Sequence, residues 1–225
     1  MDSSLSHQDV NEIARAIEAE LRALPVRNTE TMRAVRRKYT LALKTASPEF
    51  MLALARELIH NDQHRWIAFE LIRQHPQAFG CIGARELEEF GRGINSWWRV
   101  DEFARTLAGP AWLRGQIPDE LILEWAHSND PWWRRAALVS TVALNVRSQG
   151  GPGDLVRTLR ICQLLADDHD DMVVKGLSWA LRELAVHEPE AVEQFLVEFE
   201  PVLAGRVKRE VRNKMKTRLK NPRRG

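Results

Sequence analysis

Trp97 and Asp101 stand four positions apart in the stretch from Ile94 to Leu107, INSWWRVDEFARTL. On a helix, residues at i and i+4 share a face, so this spacing sets an indole plane and a carboxylate about one turn apart. Downstream, Asp130-Pro131-Trp132-Trp133-Arg134-Arg135-Ala136-Ala137 places Arg135 at a helix start, and Trp179 lies in GLSWALREL, from Gly176 to Leu184. If such helix starts stack side by side, two indoles, one carboxylate and one guanidinium line a single groove. Trp98 points about 100° away from Trp97 on a helix and is expected to pack or to neighbour a bound strand. Trp66, Trp112, Trp125 and Trp132 are expected to pack. His60 and His64 also stand at i and i+4, but no third ligand or HExxH pattern accompanies them, so no metal site is expected. The acidic turn from Asp167 to Asp171 lacks the Gly and final Glu of a calcium loop and reads as helix capping. Cys81 and Cys162 have no CxxC partner, so neither a disulfide framework nor zinc is indicated.

The elements that must position these residues read as helices throughout. Apolar residues recur at three and four, as in Ile13, Ile17 and Leu21, or Leu177, Leu181 and Leu184, and no alternating strand pattern occurs. Only 12 Gly and 10 Pro in 225 residues favour helix over strand. Ser47-Pro48-Glu49, Pro118-Asp119-Glu120, Asp130-Pro131 and Glu188-Pro189-Glu190 mark helix starts, where a capping residue or an early Pro suits the first turn. About ten to twelve helices are predicted, with one inter-helix loop at Ser148-Gln149-Gly150-Gly151-Pro152-Gly153.

A weak repeat runs through them. Asp130 to Ala136 aligns with Asp170 to Gly176, each with an acidic turn, then a basic residue (Arg135 or Lys175), then a small residue. A looser copy spans Asn61 to Ala68. A helix-pair unit of about forty residues is the period of HEAT and armadillo repeats, so the reading is all-α, with HEAT-like repeats stacked into a curved α-solenoid that has one concave groove. An ordinary helix bundle with similar caps is the alternative on periodicity alone. One domain over residues 1–225 is expected.

The net charge of +2 hides an uneven distribution. Residues 206–225 hold ten Lys or Arg and one Glu, a local +9, which leaves −7 on the other 205 residues. A basic helix from Arg206 to Lys220, with Val207, Val211, Met215 and Leu219 as a narrow apolar stripe, is suited to phosphate more than to membrane insertion. A solvated charged face is the plainer alternative. Arg33, Arg36, Arg37 and Lys38 form a second basic cluster on a helix after Arg27. The charge-free run Ala136–Val146 is too short to span a bilayer, the polar opening residues predict no signal peptide, and the two unpaired cysteines fit a reducing cytoplasm.

These motifs in this order resemble the DNA alkylation repair family, the AlkD-like HEAT-repeat DNA glycosylases. Trp97-Trp98-Arg99-Val100-Asp101 matches the family's W-x-x-V-D pattern, and Trp132 to Ala137 matches its W-x-x-R-A-A helix start. Lys175 to Glu183 is similar to K-A-x-x-W-x-L-R-E, with Gly176 in place of the usual Ala. Val26 to Arg33 resembles V-x-x-P-x-x-R without its Pro. The likeness runs from about residue 26 to the basic end.

The resemblance implies hydrolysis of the N-glycosidic bond of alkylated, cationic purines such as 3-methyladenine and 7-methylguanine in duplex DNA. Asp101 would stabilise the oxocarbenium-like sugar and position water, while the indoles of Trp97 and Trp179 cradle the sugar. Arg135 would clamp the phosphate beside the lesion and help keep Asp101 ionised. DNA contacts are assigned to Arg27, Arg33, Lys175, Arg182, Arg206, Lys208, Arg209 and Arg212. No cofactor, metal or membrane partner is implied, and the expected state is a cytoplasmic monomer, nucleoid-associated when bound to DNA. A HEAT-like module that binds duplex or branched DNA without excision, and a protein-interaction scaffold, are the alternatives.

Overall fold

The computed structural model describes residues 7–60 and 64–222. Residues 1–6, on which the expectation about a leader rests, lie outside the described residues, as do Asn61, Asp62 and Gln63 of the looser repeat copy and residues 223–225 of the basic tail. The described residues contain helices and turns and no strand, and no helix among them is long and apolar enough to cross a membrane. They form two compact units, Met1–Arg92 and Gly93–Gly225.

The first unit holds α1 (His7–Ala23), α2 (Thr29–Ala42), α3 (Pro48–His60), α4 (Arg65–Gln74), α5 (Pro76–Gly80) and α6 (Ala84–Gly91). Asn28 caps α2 by accepting from the Thr31 N–H at 2.9 Å, while the Thr31 hydroxyl accepts from the Asn28 N–H at 3.2 Å, satisfying two amides that the first turn leaves without partners. α3 packs on α1, α4 and α5. The apolar faces read from the sequence supply the core, with Ile17, Leu21, Leu54, Leu58, Ile67 and Ile72 all fully buried. Ion pairs tie its helices together, among them Arg36 to Glu70 at 2.8 Å, Lys38 to Glu20 at 2.7 Å and Arg56 to both oxygens of Glu89.

The second unit holds α7 (Trp97–Phe103), a π-helical segment (Ala104–Ala108), α8 (Gly109–Leu113), α9 (Asp119–Ala126), α10 (Pro131–Asn145), a 3-10 turn (Arg147–Gln149), α11 (Leu155–Leu164), α12 (Asp171–Leu184), α13 (Pro189–Glu198) and α14 (Gly205–Thr217). α10 is its centre. It packs against α7, the π segment, α8, α9, α11 and α12, and α14 packs on the far side of α12. This position explains the charge-free run, because every residue from Arg135 to Asn145 is buried.

The predicted starts are all present, and the forty-residue likeness has a local structural counterpart. Asp130 accepts from the Trp132 N–H at 2.9 Å to open α10, and Asp170 accepts from the Met172 N–H at 2.8 Å to open α12. The two helices so opened are neighbours. There are more helices than predicted because short ones, α5 and α8, punctuate the chain.

The π segment has a visible cause. Pro110 has no N–H to donate one turn back, and its ring presses on the carbonyl there, so an uninterrupted α-helix cannot run through it. The chain widens to an i→i−5 turn in which the Gly109 N–H donates to the Ala104 carbonyl. Gly109 also lies close against α10. A Cβ there would sit 2.5 Å from the Ser140 carbonyl oxygen and 2.8 Å from the Ala143 Cβ.

Candidate functional site

Asp101 projects from α7 and is met by Arg135 from α10. The Arg135 Nε donates to Asp101 Oδ1 and its Nη2 to Oδ2, both at 2.9 Å, a two-pronged arrangement that fixes the carboxylate plane. The third guanidinium nitrogen, Nη1, donates to the Met172 carbonyl in the first turn of α12. One side chain therefore ties α7, α10 and α12 together. The Arg135 side chain is 5% exposed and that of Asp101 15%.

This geometry changes the expectation for Arg135. A phosphate clamp needs donors turned to solvent, whereas all three nitrogens of Arg135 already donate inside the protein. Its place is behind Asp101, as the group that positions the carboxylate. Burial pushes the Asp101 carboxyl above its ordinary value, and the hydrogen bonds and charge of Arg135 oppose that rise, with a further opposing contribution from the charge of Arg105.

The indoles differ sharply in exposure. Trp97, one turn before Asp101 on α7, is 55% exposed, and Trp98 is 42% exposed with the Arg99 guanidinium 5.0 Å from its ring centroid. An exposed pair of indoles is unusual, since large aromatic side chains contribute most when buried. Trp179 on α12 is half-buried, and its Nε1 donates to Glu183 Oε1 at 3.0 Å, which fixes the ring. By contrast, Trp133 and Trp125 pack together with Phe103, at ring-centroid distances of 4.8 Å between the two indoles and 6.1 and 5.9 Å to the phenyl ring. Trp112 is fully buried and donates to Asp119 at 2.7 Å. Packing is the role of these three.

Sequence reasoning passed over Arg105. It stands four residues after Asp101, and its guanidinium carbon lies 5.5 Å from the Trp179 ring centroid. The i, i+4, i+8 series Trp97, Asp101, Arg105 was open to inspection. Its meaning depends on the π segment, which pattern alone does not show.

The basic residues assigned to DNA fall into two kinds. Arg206 and Lys175 both hold Asp171 at 2.7 Å, Lys208 holds Glu200 at 3.0 Å, and Arg212 holds Glu193 at 3.2 Å, all with the cation at least a quarter exposed. Arg209 is exposed, as are Arg27, whose Nη2 donates to the Arg22 carbonyl at 3.0 Å, and Arg33, 3.9 Å from Glu70. Arg182 is of the second kind. It donates to the Ser178 carbonyl at 3.1 Å, and burial pushes its guanidinium below the usual value. Its partner network continues into Glu210, which is buried and accepts from the Ser178 hydroxyl at 2.6 Å.

The basic helix is shorter than predicted. α14 ends at Thr217, and Arg218 adopts a left-handed conformation, φ 60, that stops it. Lys220 then turns back to Glu210 at 3.4 Å, and the Lys220 carbonyl accepts from Asn213 at 3.1 Å. Val207 and Val211 are buried as the stripe requires, but Leu219 falls beyond the helix and is exposed.

Among known families, the one described as DNA alkylation repair enzyme matches the chain over residues 4–216. No curated protein and no solved structure matches it.

Proposed function

The chain thus belongs to the DNA alkylation repair enzyme family, and we propose that it is a glycosylase hydrolysing the N-glycosidic bond of alkylated, cationic purines in duplex DNA. The observation that carries this reading is the Asp101 carboxylate, locked by Arg135 at the edge of two helices with an exposed indole one turn away. Alkylation at N7 or N3 gives the purine a positive charge, so the base departs neutral with the bonding electrons of its C1′–N9 bond. Positive charge then moves to the deoxyribose. A pre-oriented carboxylate stabilises that charge without reorganising, which is the condition under which such groups accelerate reactions most. The faces of Trp97 and Trp179 favour the same cation. Water adds to C1′ and loses a proton, for which Asp101 is the acceptor, and an abasic site remains.

A HEAT-like stacking of helix pairs is the architecture this reading expects, and the matching Asp130 and Asp170 caps of the neighbouring α10 and α12 support it. The exposed cations of α14 and α2 supply attraction to phosphate with no dependence on base sequence. The test is release of free base from duplex DNA containing 7-methylguanine. The proposal requires release by the wild-type protein at neutral pH. Salt-dependent duplex binding without any release would replace it with a binding module.

A further inference from the structure

Arg105 sits in the π segment between Asp101 and the α8 turn and is exposed to solvent. Its guanidinium reaches across to the indole of Trp179 on α12, 5.5 Å from the ring centroid, while Glu183 holds that indole through its Nε1. A π-helical turn shifts the residues after it around the helix axis and is found disproportionately at functional sites. Here it arises from Pro110, and it carries Arg105.

A nucleotide within a duplex brings both kinds of charge to such a site. Its sugar becomes positive as the bond breaks, and its flanking phosphodiesters are negative throughout. Asp101, Trp97 and Trp179 all favour the positive centre. Arg135, the cation assigned to phosphate from the sequence, is buried and committed to Asp101 and the Met172 carbonyl. Arg105 is the exposed guanidinium of this cluster. Its charge also acts on Asp101 and, left uncompensated, would oppose the sugar cation forming beside that carboxylate. A phosphate oxygen removes the conflict, and the planar guanidinium fork suits phosphate while its face rests on an aromatic ring.

The geometry points to Arg105 as the residue that binds the phosphodiester flanking the deoxyribose held between Trp97, Asp101 and Trp179. This assignment rests on the glycosylase reading for the identity of the sugar, but it is tested by binding alone. Arg105 thereby does what the sequence assigned to Arg135, and its guanidinium already rests beside Trp179 before DNA arrives.

The experiment measures binding to a duplex with one stable abasic analogue, over a series of salt concentrations, for wild type, Arg105→Ala and Arg105→Lys. A second set of duplexes replaces single phosphates near the analogue with neutral methylphosphonates. Arg105→Ala should bind about tenfold more weakly at low salt, and its log–log salt slope should be shallower by about 0.9. Arg105→Lys should keep the wild-type slope. One methylphosphonate adjoining the analogue should weaken wild type to the level of Arg105→Ala and leave that variant unaffected. Equal slopes for wild type and Arg105→Ala overturn the assignment, as does an equal loss for both on every methylphosphonate duplex. A lower melting temperature with an unchanged slope makes Arg105 a packing partner of Trp179 and also overturns it. If wild type binds but releases no 7-methylguanine, the glycosylase reading fails, while the methylphosphonate comparison still decides for or against Arg105.

Discussion

Where α7, α10 and α12 meet, Arg135 holds Asp101 with two bonds of 2.9 Å and is 5% exposed; where α12 meets α14, Arg206 holds Asp171 with one of 2.7 Å and is 37% exposed. Both are arginine–carboxylate pairs between helices of one unit, separated by 34 and 35 residues. The first pair is internal, and breaking it strands a charge in a poorly solvated place. The second is open to water and to competing anions, so a phosphate can take the place of Asp171 at little cost. One region thus fixes the plane of a carboxylate, the one that the proposed mechanism uses. The other holds cations ready for exchange, and a net charge of +2 averages the two.

Removing Arg135 should have the largest effect on stability. Arg135→Ala is expected to cost about 3–5 kcal/mol in urea unfolding, because Asp101 stays buried without its partner. The cost should shrink when Asp101→Asn is combined with it, since a neutral amide needs no counter-charge. Equal costs in both backgrounds would show that the pair is not the source of the loss. Arg206→Ala, at the exposed end, should change stability by less than about 1 kcal/mol.

Trp97→Ala should come next in size. The indole is 55% exposed, so melting should barely move, while base release slows by about tenfold if its face stabilises the sugar cation. A shift in melting with no change in release would make Trp97 structural.

The pH profile separates the two regions again. Burial raises the Asp101 carboxyl in the folded protein, so folding takes up a proton between the unfolded and folded values. The resulting stabilisation is present below the unfolded value and lost as pH rises through the folded one. Catalysis by the proposed route runs in the opposite sense. It needs the carboxylate, so single-turnover release should fall as pH drops through a midpoint above the ~3.9 of a free Asp. Asp171, held by Lys175 and Arg206, is shifted down instead, so an acid limb below the free value would point away from Asp101.

The smallest expected effects belong to α14. Each of Arg206→Ala, Lys208→Ala and Arg212→Ala should reduce the salt slope of duplex binding by about 0.9 if that cation meets one phosphate. Slopes unchanged in all three would remove α14 from the DNA surface.

Much of the fold was legible because its signals are local. Pro48, Asp119, Pro131 and Pro189 each begin a helix where a cap or an early Pro announced it. The shared face of Trp97 and Asp101 followed from spacing alone. What escaped was non-local. The commitment of Arg135 to the Met172 carbonyl, 37 residues away, is such a contact, and no pattern in α10 marks that side chain as inward-facing. Arg134, its neighbour, pairs instead with Asp168 at 2.6 Å. The end of α14 was missed because Arg218 enters a conformation usually left to glycine, with Lys220 returning to Glu210. The reach of Arg105 to Trp179 was hidden behind the π turn that Pro110 induces.

The most direct test of the central claim is single-turnover release of 7-methylguanine from duplex DNA by wild type and by Asp101→Asn, each first shown to be folded and to bind the duplex. Release should be slower in the variant by a factor of about a hundred or more, in keeping with the loss of one pre-oriented electrostatic group. Undiminished release by Asp101→Asn would remove the carboxylate from the chemistry and contradict the account.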